Sequence, residues 1–246
     1  MKLFATHLAF TLKRIMRRPE FWIPTVVLPA MLYSFVGASL PPAGPPSQAA
    51  IASFAIFAVM GIGLYQFAIA IAEDRETAFS LWQRTLAGAA APQLAAQVVT
   101  AVVLSFIAVL LVLAAAAVFA RTGLDTGQML RLTGVAVLMS LPAALLGAVI
   151  GYLAWSASGA SSLATLLNLP LAFLGALWIP PGQMPAAIAR VSEWTPTRAM
   201  VEFAWGAIFE GRTVDGWYYV SLAVWTLLFM LLAAWLMRRD RKHRFA

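Results

Sequence analysis

Between Glu20 and Arg121 the chain carries charge in one place only, the stretch from Glu73 to Arg84. Whatever flanks that stretch must therefore live in an apolar solvent, while the stretch itself meets water. Composition agrees, since 62% of the 246 residues are hydrophobic and 11% charged, against roughly 45–50% and 25% in soluble globular domains. The reading that follows is an all-α integral membrane protein, because a helix satisfies its own backbone polar groups in lipid.

The segment 73–92, EDRETAFSLWQRTLAGAAAP, is predicted to form a short polar helix between two apolar spans. Glu73, Asp74 and Glu76 would occupy its first turn beside Arg75, where the helix dipole favours acidic groups. Phe79, Trp82 and Leu86 recur at helical spacing and Pro92 closes the segment.

Residues 1–19 place Phe4, Leu8, Leu12 and Ile15 on one stripe, with Lys13, Arg14, Arg17 and Arg18 clustered near its end. That pattern is an amphipathic helix lying in the membrane interface with its basic side toward anionic lipid headgroups, or else a simple solvated anchor. Spans are then expected at about 21–40, 51–72, 95–120, 132–155, 163–179 and 217–237, since about 20 apolar residues cross a hydrocarbon core of about 30 Å. Turns are read at 41–48 (PPAGPPSQ) and 156–162 (SASGASS). Gly147 and Gly151 have the GxxxG spacing that permits close helix approach. Residues 182–216 carry Arg190, Glu193, Arg198, Glu202, Glu210 and Arg212 among many apolar residues, so two short helices dipping into the interface fit better than a crossing.

Six spans put both termini on one side. With the termini inside, twelve Lys and Arg fall inside and five outside, a bias that supports cytoplasmic termini and a cytoplasmic 73–92. The same clustering of basic residues beside spans explains the net charge of +7 without nucleic acid.

Absences narrow the chemistry. There is no cysteine, and the only histidines, His7 and His243, lie near the ends. No catalytic residue and no metal site is assigned on that basis, and an intramembrane serine hydrolase using Ser158 or Ser161 has no histidine to work with. No charge falls inside the six expected spans, which disfavours an ion-coupled carrier. Each lysine follows Met1, Leu12 or Arg241 rather than a glycine, so the chain has no P-loop with which to use ATP itself. Gln66 and Asn168 are polar residues within spans and serve either as interhelical hydrogen-bond partners or as ligand contacts.

This layout resembles the membrane subunit of ABC-2 type transporters. The likeness is carried by Asp74-Arg75-Glu76, then Ala78-Phe79, then Leu81-Trp82-Gln83-Arg84-Thr85, and by Pro170, Pro185 and Pro196-Thr197-Arg198 before the last span. Ala78 stands where the family often has Gly, and Ala87-Gly88 where a Pro commonly follows. The resemblance implies an exporter permease of the bacterial or archaeal cytoplasmic membrane, in a family that moves drugs, glycans, lipids, peptides and ions, and the apolar spans here favour a hydrophobic or amphipathic substrate. It works with a second permease chain, identical or paralogous, and with two cytoplasmic ABC ATPase subunits that bind the ATP and Mg. It also implies that Glu73, Asp74, Arg75, Glu76, Phe79, Trp82 and Arg84 form the coupling helix that grips the ATPase. The pathway would run between permease chains, lined by the first, second and fifth spans with Gln66 and Asn168. Trp194 and Trp205 would form an outer gate. The competing readings are a proton-coupled secondary carrier and a non-transporting membrane scaffold.

Overall fold

The computed structural model describes residues 19–76, 90–119 and 123–243, together with Thr6, Leu8, Ala9, 11–13, Ile15 and Arg17. Its described elements are helical, with no strand among them. In order they are α1 (Pro19–Ala38), α2 (Pro45–Glu76), α3 (Ala90–Phe119), α4 (Thr126–Leu153), α5 (Ala157–Leu174), a 3-10 turn (Pro181–Gln183), α6 (Ala186–Ser192), α7 (Pro196–Ile208) and α8 (Gly216–His243). Five of these, α2, α3, α4, α5 and α8, are long and apolar enough to cross a membrane, and α1 contributes the shorter apolar stretch Ile23–Gly37.

The organising helix is α2. From Ile51 to Leu64 every side chain is buried, because α1, α3, α4, α5 and α7 all pack around it. Its 32 residues reach about 48 Å at 1.5 Å each, further than a hydrocarbon core of about 30 Å requires. Both ends therefore differ from the sequence reading. Pro45 opens the helix inside the expected 41–48 turn, which suits a residue with fixed φ and no N–H to satisfy. At the other end Glu73 to Glu76 close α2 rather than opening a separate helix. The dipole argument that placed acidic groups in a first turn is overruled here by side-chain partners supplied by neighbouring helices.

The tightest seam joins α2 to α4. A Cβ built on Gly63 would lie 2.5 Å from Ala143 Cβ, one on Gly147 would lie 2.2 Å from the Gly63 carbonyl oxygen, and one on Gly151 2.7 Å from the Ala68 oxygen. Ala143, Gly147 and Gly151 repeat every fourth residue and so form one ridge of α4. The GxxxG spacing is thus used within the chain, where only glycine lets the two backbones touch.

The expected turn at 156–162 is instead the start of α5. Ser156 is its N-cap, accepting from Gly159 N at 3.0 Å, and the helix ends at Leu174 rather than running to Ile179. The two short helices expected in 182–216 are present as α6 and α7. They do not both skim a surface, for α7 buries Arg198, Met200, Glu202, Trp205 and Ile208 against the bundle. It is held by its N-cap Thr195, whose hydroxyl accepts from Arg198 N at 3.2 Å, by Thr197 Oγ1 donating to Leu171 O at 2.8 Å, and by Gln128 Nε2 donating to Ile208 O at 2.8 Å. Outward, α3 shows Phe106, Leu110 and Phe119, and α8 shows Val224, Leu227, Leu231 and Trp235. A girdle of exposed apolar side chains on several helices is a surface made for hydrocarbon.

Candidate functional site

Three consecutive residues at the end of α2 tie together the helices that terminate there. Asp74 Oδ2 accepts from Gln97 Nε2 of α3 at 3.1 Å. Arg75 Nε donates to Asp240 Oδ1 of α8 at 3.0 Å, while its Nη1 donates to Gly151 O at 2.9 Å and Ala154 O at 2.6 Å. Glu76 Oε1 accepts from Ala157 N, the first residue of α5, at 3.0 Å. Successive residues of a helix point about 100° apart, which is how three neighbours reach three directions.

The electrostatics of this junction are self-consistent. A guanidinium at the end of α4 meets backbone carbonyls that have no partner within their own helix, and its charge suits the negative end of the dipole. A carboxylate at the start of α5 meets the opposite end. Arg75 and Asp240 are 17% and 9% exposed, so their attraction is screened less than that of a surface pair. Asp74, Arg75 and Glu76, read in the sequence as contacts for a partner, thus spend at least part of their bonding inside the chain. Glu73 lies in the last turn of the same helix, whereas Phe79, Trp82 and Arg84 lie outside the described residues. Of the basic cluster near the start, Lys13 and Arg17 are exposed, with Arg17 N donating to Lys13 O at 3.2 Å; Arg14 and Arg18 lie outside the described residues.

A second feature lies between α1, α2 and α5, a cavity of about 620 Å³. Phe54, Phe57 and Gly61 of α2 form its back, Leu28 and Leu32 of α1 and Leu169 of α5 its sides, and Trp178 its rim. Asn168 lines it and Gln66 does not. Gln66 faces α3, beside Gln97 and Thr100 in a pocket of about 20 Å³. The sequence paired these two amides, and the fold separates them onto different sides of α2.

The two tryptophans expected at a gate also part company. Trp194 is 64% exposed, with its ring edge-on to Trp217 at 4.7 Å and its carbonyl accepting from Trp225 Nε1 at 2.8 Å. Trp205 is 6% exposed and donates from Nε1 to Ala49 O at 3.1 Å and Ser53 Oγ at 3.2 Å. Arg198 and Arg212 stack on its ring, their guanidinium carbons 5.1 and 5.4 Å from the centroid. Both also pair with Glu202, Arg212 at 2.6 Å. That cluster escaped the sequence reading, although Arg198 and Glu202 stand at the i, i+4 spacing that signals such a pair. Asp240 escaped too, hidden as the lone acid in a basic tail.

The polar junction thus stands at one end of the bundle and the short helices α6 and α7 at the other. A family model described as ABC-2 family transporter protein matches residues 21–236. The chain belongs to the ABC-2 transporter family. Every helix from α2 to α7 falls wholly within the matched span, as do the junction residues on α2 and the cavity. No match is found among curated proteins. As an ABC-2 family member it is a multi-pass membrane component of an ABC transporter, in keeping with the all-helical fold.

Proposed function

We propose that this chain is the permease of an exporter, driven by two separate cytoplasmic ATPase subunits and completed by a second permease chain. The reading rests on family membership together with one observation, the junction of Asp74, Arg75 and Glu76. These residues bind α3, α4, α5 and α8 to the end of α2, immediately before residues 77–89. An ATPase gripping that connecting segment through Phe79 and Trp82 would move the end of α2, and the junction would carry α4, α5 and α8 with it. Movement of that end relative to α1 changes the α1, α2, α5 cavity, which serves as this chain's share of the pathway. The termini and the segment 77–89 then lie in the cytoplasm, consistent with twelve of 17 basic residues on that side. ATP and Mg stay on the partner.

The test is recovery of the tagged chain in mild detergent after crosslinking, followed by mass identification. A P-loop ATPase in near-equal amount, lost in Trp82→Ala, is the expected result. Recovery of the wild-type chain alone would overturn the reading.

A further inference from the structure

The chemistry of the α1, α2, α5 cavity is specific enough to select an occupant. At about 620 Å³ it falls within the roughly 300–1,000 Å³ of small-molecule sites. Its back wall on α2 is buried, whereas Leu28 on α1 and Leu169 on α5 are 47% and 49% exposed. The mouth therefore opens between α1 and α5, toward the apolar surroundings those side chains face.

Among the described residues, no charged side chain lines the cavity. An ionic head entering it would leave water and find no counter-charge, which disfavours ammonium, sulfate and carboxylate amphiphiles alike. Two polar sites face the cavity from α5, Thr165 and Asn168, three residues apart and so on one helix face. Thr165 is satisfied from within: the Tyr65 hydroxyl donates to it at 3.0 Å and it donates to Ser161 O at 2.9 Å. Asn168 is different. It is 5% exposed, and its Oδ1 has no hydrogen-bond partner among the described residues.

A buried amide oxygen without a partner is costly unless something supplies a donor. As placed, that oxygen is fully buried and turned away from the open space, and it reaches an occupant by rotation of the terminal amide about its soft torsion, which offers either the carbonyl or the NH2 side. We propose that the cavity takes a neutral single-chain amphiphile whose head both donates and accepts, a hydroxyl or a carboxamide, and that Asn168 reads that head. The inference rests on the permease reading only in calling the occupant a transported substrate.

The probe is 3-azioctanol, a photoreactive neutral alcohol, applied to the full chain in phosphatidylcholine nanodiscs, with adducts mapped by mass spectrometry. Adducts are expected on α1, α2 or α5 at the cavity. Octanol should compete at a membrane mole fraction at least tenfold below that of octane or octyltrimethylammonium. Gly61→Leu should cut the adduct yield at least fivefold, because a Cβ there meets only Thr25 Cγ2 at 3.9 Å and the side chain grows into the space. Asn168→Leu should shrink the octanol advantage over octane to under threefold, in protein that elutes as a single species.

Equal competition by octane, or by octyltrimethylammonium, in the wild type would overturn the proposal. Adducts spread over the lipid-facing helices and indifferent to Gly61→Leu would overturn it as well. The competition series needs only wild-type protein, so a variant that fails to fold leaves the test intact. Labelling needs no ATPase subunit, so failure here and failure of the exporter reading are distinguishable.

Discussion

On the face of α2 that meets α4, Gly63 brings its backbone against Ala143, whereas on the face that meets α1 and α5, Gly61 looks into open space beside Phe54 and Phe57. The two glycines are two residues apart on the same helix and serve opposite ends. One removes every atom that would hold the helices apart, and the other leaves a void among large side chains that cannot close it. In lipid there is no hydrophobic force to press helices together, so such close contact is what fastens them. The α2 and α4 pair is therefore the rigid half of the molecule, and the α1, α2 and α5 side is the half with room to change.

The most severe way to break that contrast is Gly147→Leu. Its Cβ would sit 2.2 Å from the Gly63 carbonyl oxygen, a backbone atom that cannot swing aside. Overpacking a core usually costs about 1–3 kcal/mol, and a clash with backbone belongs at or above the upper limit. The expected outcome is aggregated or protease-sensitive protein, read by size-exclusion chromatography and limited proteolysis. A monodisperse variant of wild-type thermal stability would show that the seam is not the fastening it looks like.

Next in size is Arg75→Ala, which strips α4 and α8 of their common link to α2. It removes one donor from Asp240 and one from each of two carbonyls, at about 2 kcal/mol for hydrogen bonds involving charged groups. Water at the end of the bundle restores some of that. Arg75→Lys should recover less than half, since a single ammonium nitrogen cannot stand in both places that Nε and Nη1 of the guanidinium occupy. Thermal unfolding measures the stability. The junction reading makes a second demand, that ATPase recovery stay normal in Arg75→Ala while substrate-stimulated hydrolysis falls. Full coupling in that variant would reduce Arg75 to a structural role.

What the sequence disclosed follows from the solvent. Lipid demands long apolar helices, so their order and approximate positions could be read from the run of apolar residues, as could the two short helices before α8; where six spans were read, five described helices have the length to cross and α1 has only the shorter stretch Ile23–Gly37. Helix ends were harder, because they depend on partners. Glu73 to Glu76 carry the local signature of a first turn and are nonetheless a last turn, stabilised by Gln97, Asp240 and Ala157, the second of these 165 positions from Arg75. The GxxxG spacing at Gly147 announced a close approach but not that its target is Gly63. A cavity leaves no local pattern at all, since it is defined by where side chains from three helices fail to meet. Hence Asn168 and Gln66 looked equivalent, as did Trp194 and Trp205, and in each pair the fold gives the two residues different surroundings.

The smallest effect sharpens the comparison most. Gly61→Ala places a methyl group 3.9 Å from Thr25 Cγ2, an ordinary van der Waals contact, in a helix whose backbone is already regular there. Replacing a helical glycine by alanine gains roughly 0.5–1 kcal/mol from reduced freedom of the unfolded chain, and nothing nearby opposes it. Gly63→Ala gains the same term, but its Cβ would lie 2.5 Å from Ala143 Cβ and 2.6 Å from the Ala143 carbonyl carbon, so the helices must separate and the net sign reverses. Thermal unfolding of the two single variants in one detergent is therefore a sign test, a modest rise for Gly61→Ala and a fall for Gly63→Ala. If both rise, α4 can back away at little cost and α2 has two compliant faces. If both fall, the space beside Gly61 is needed by the fold itself rather than held open for an occupant.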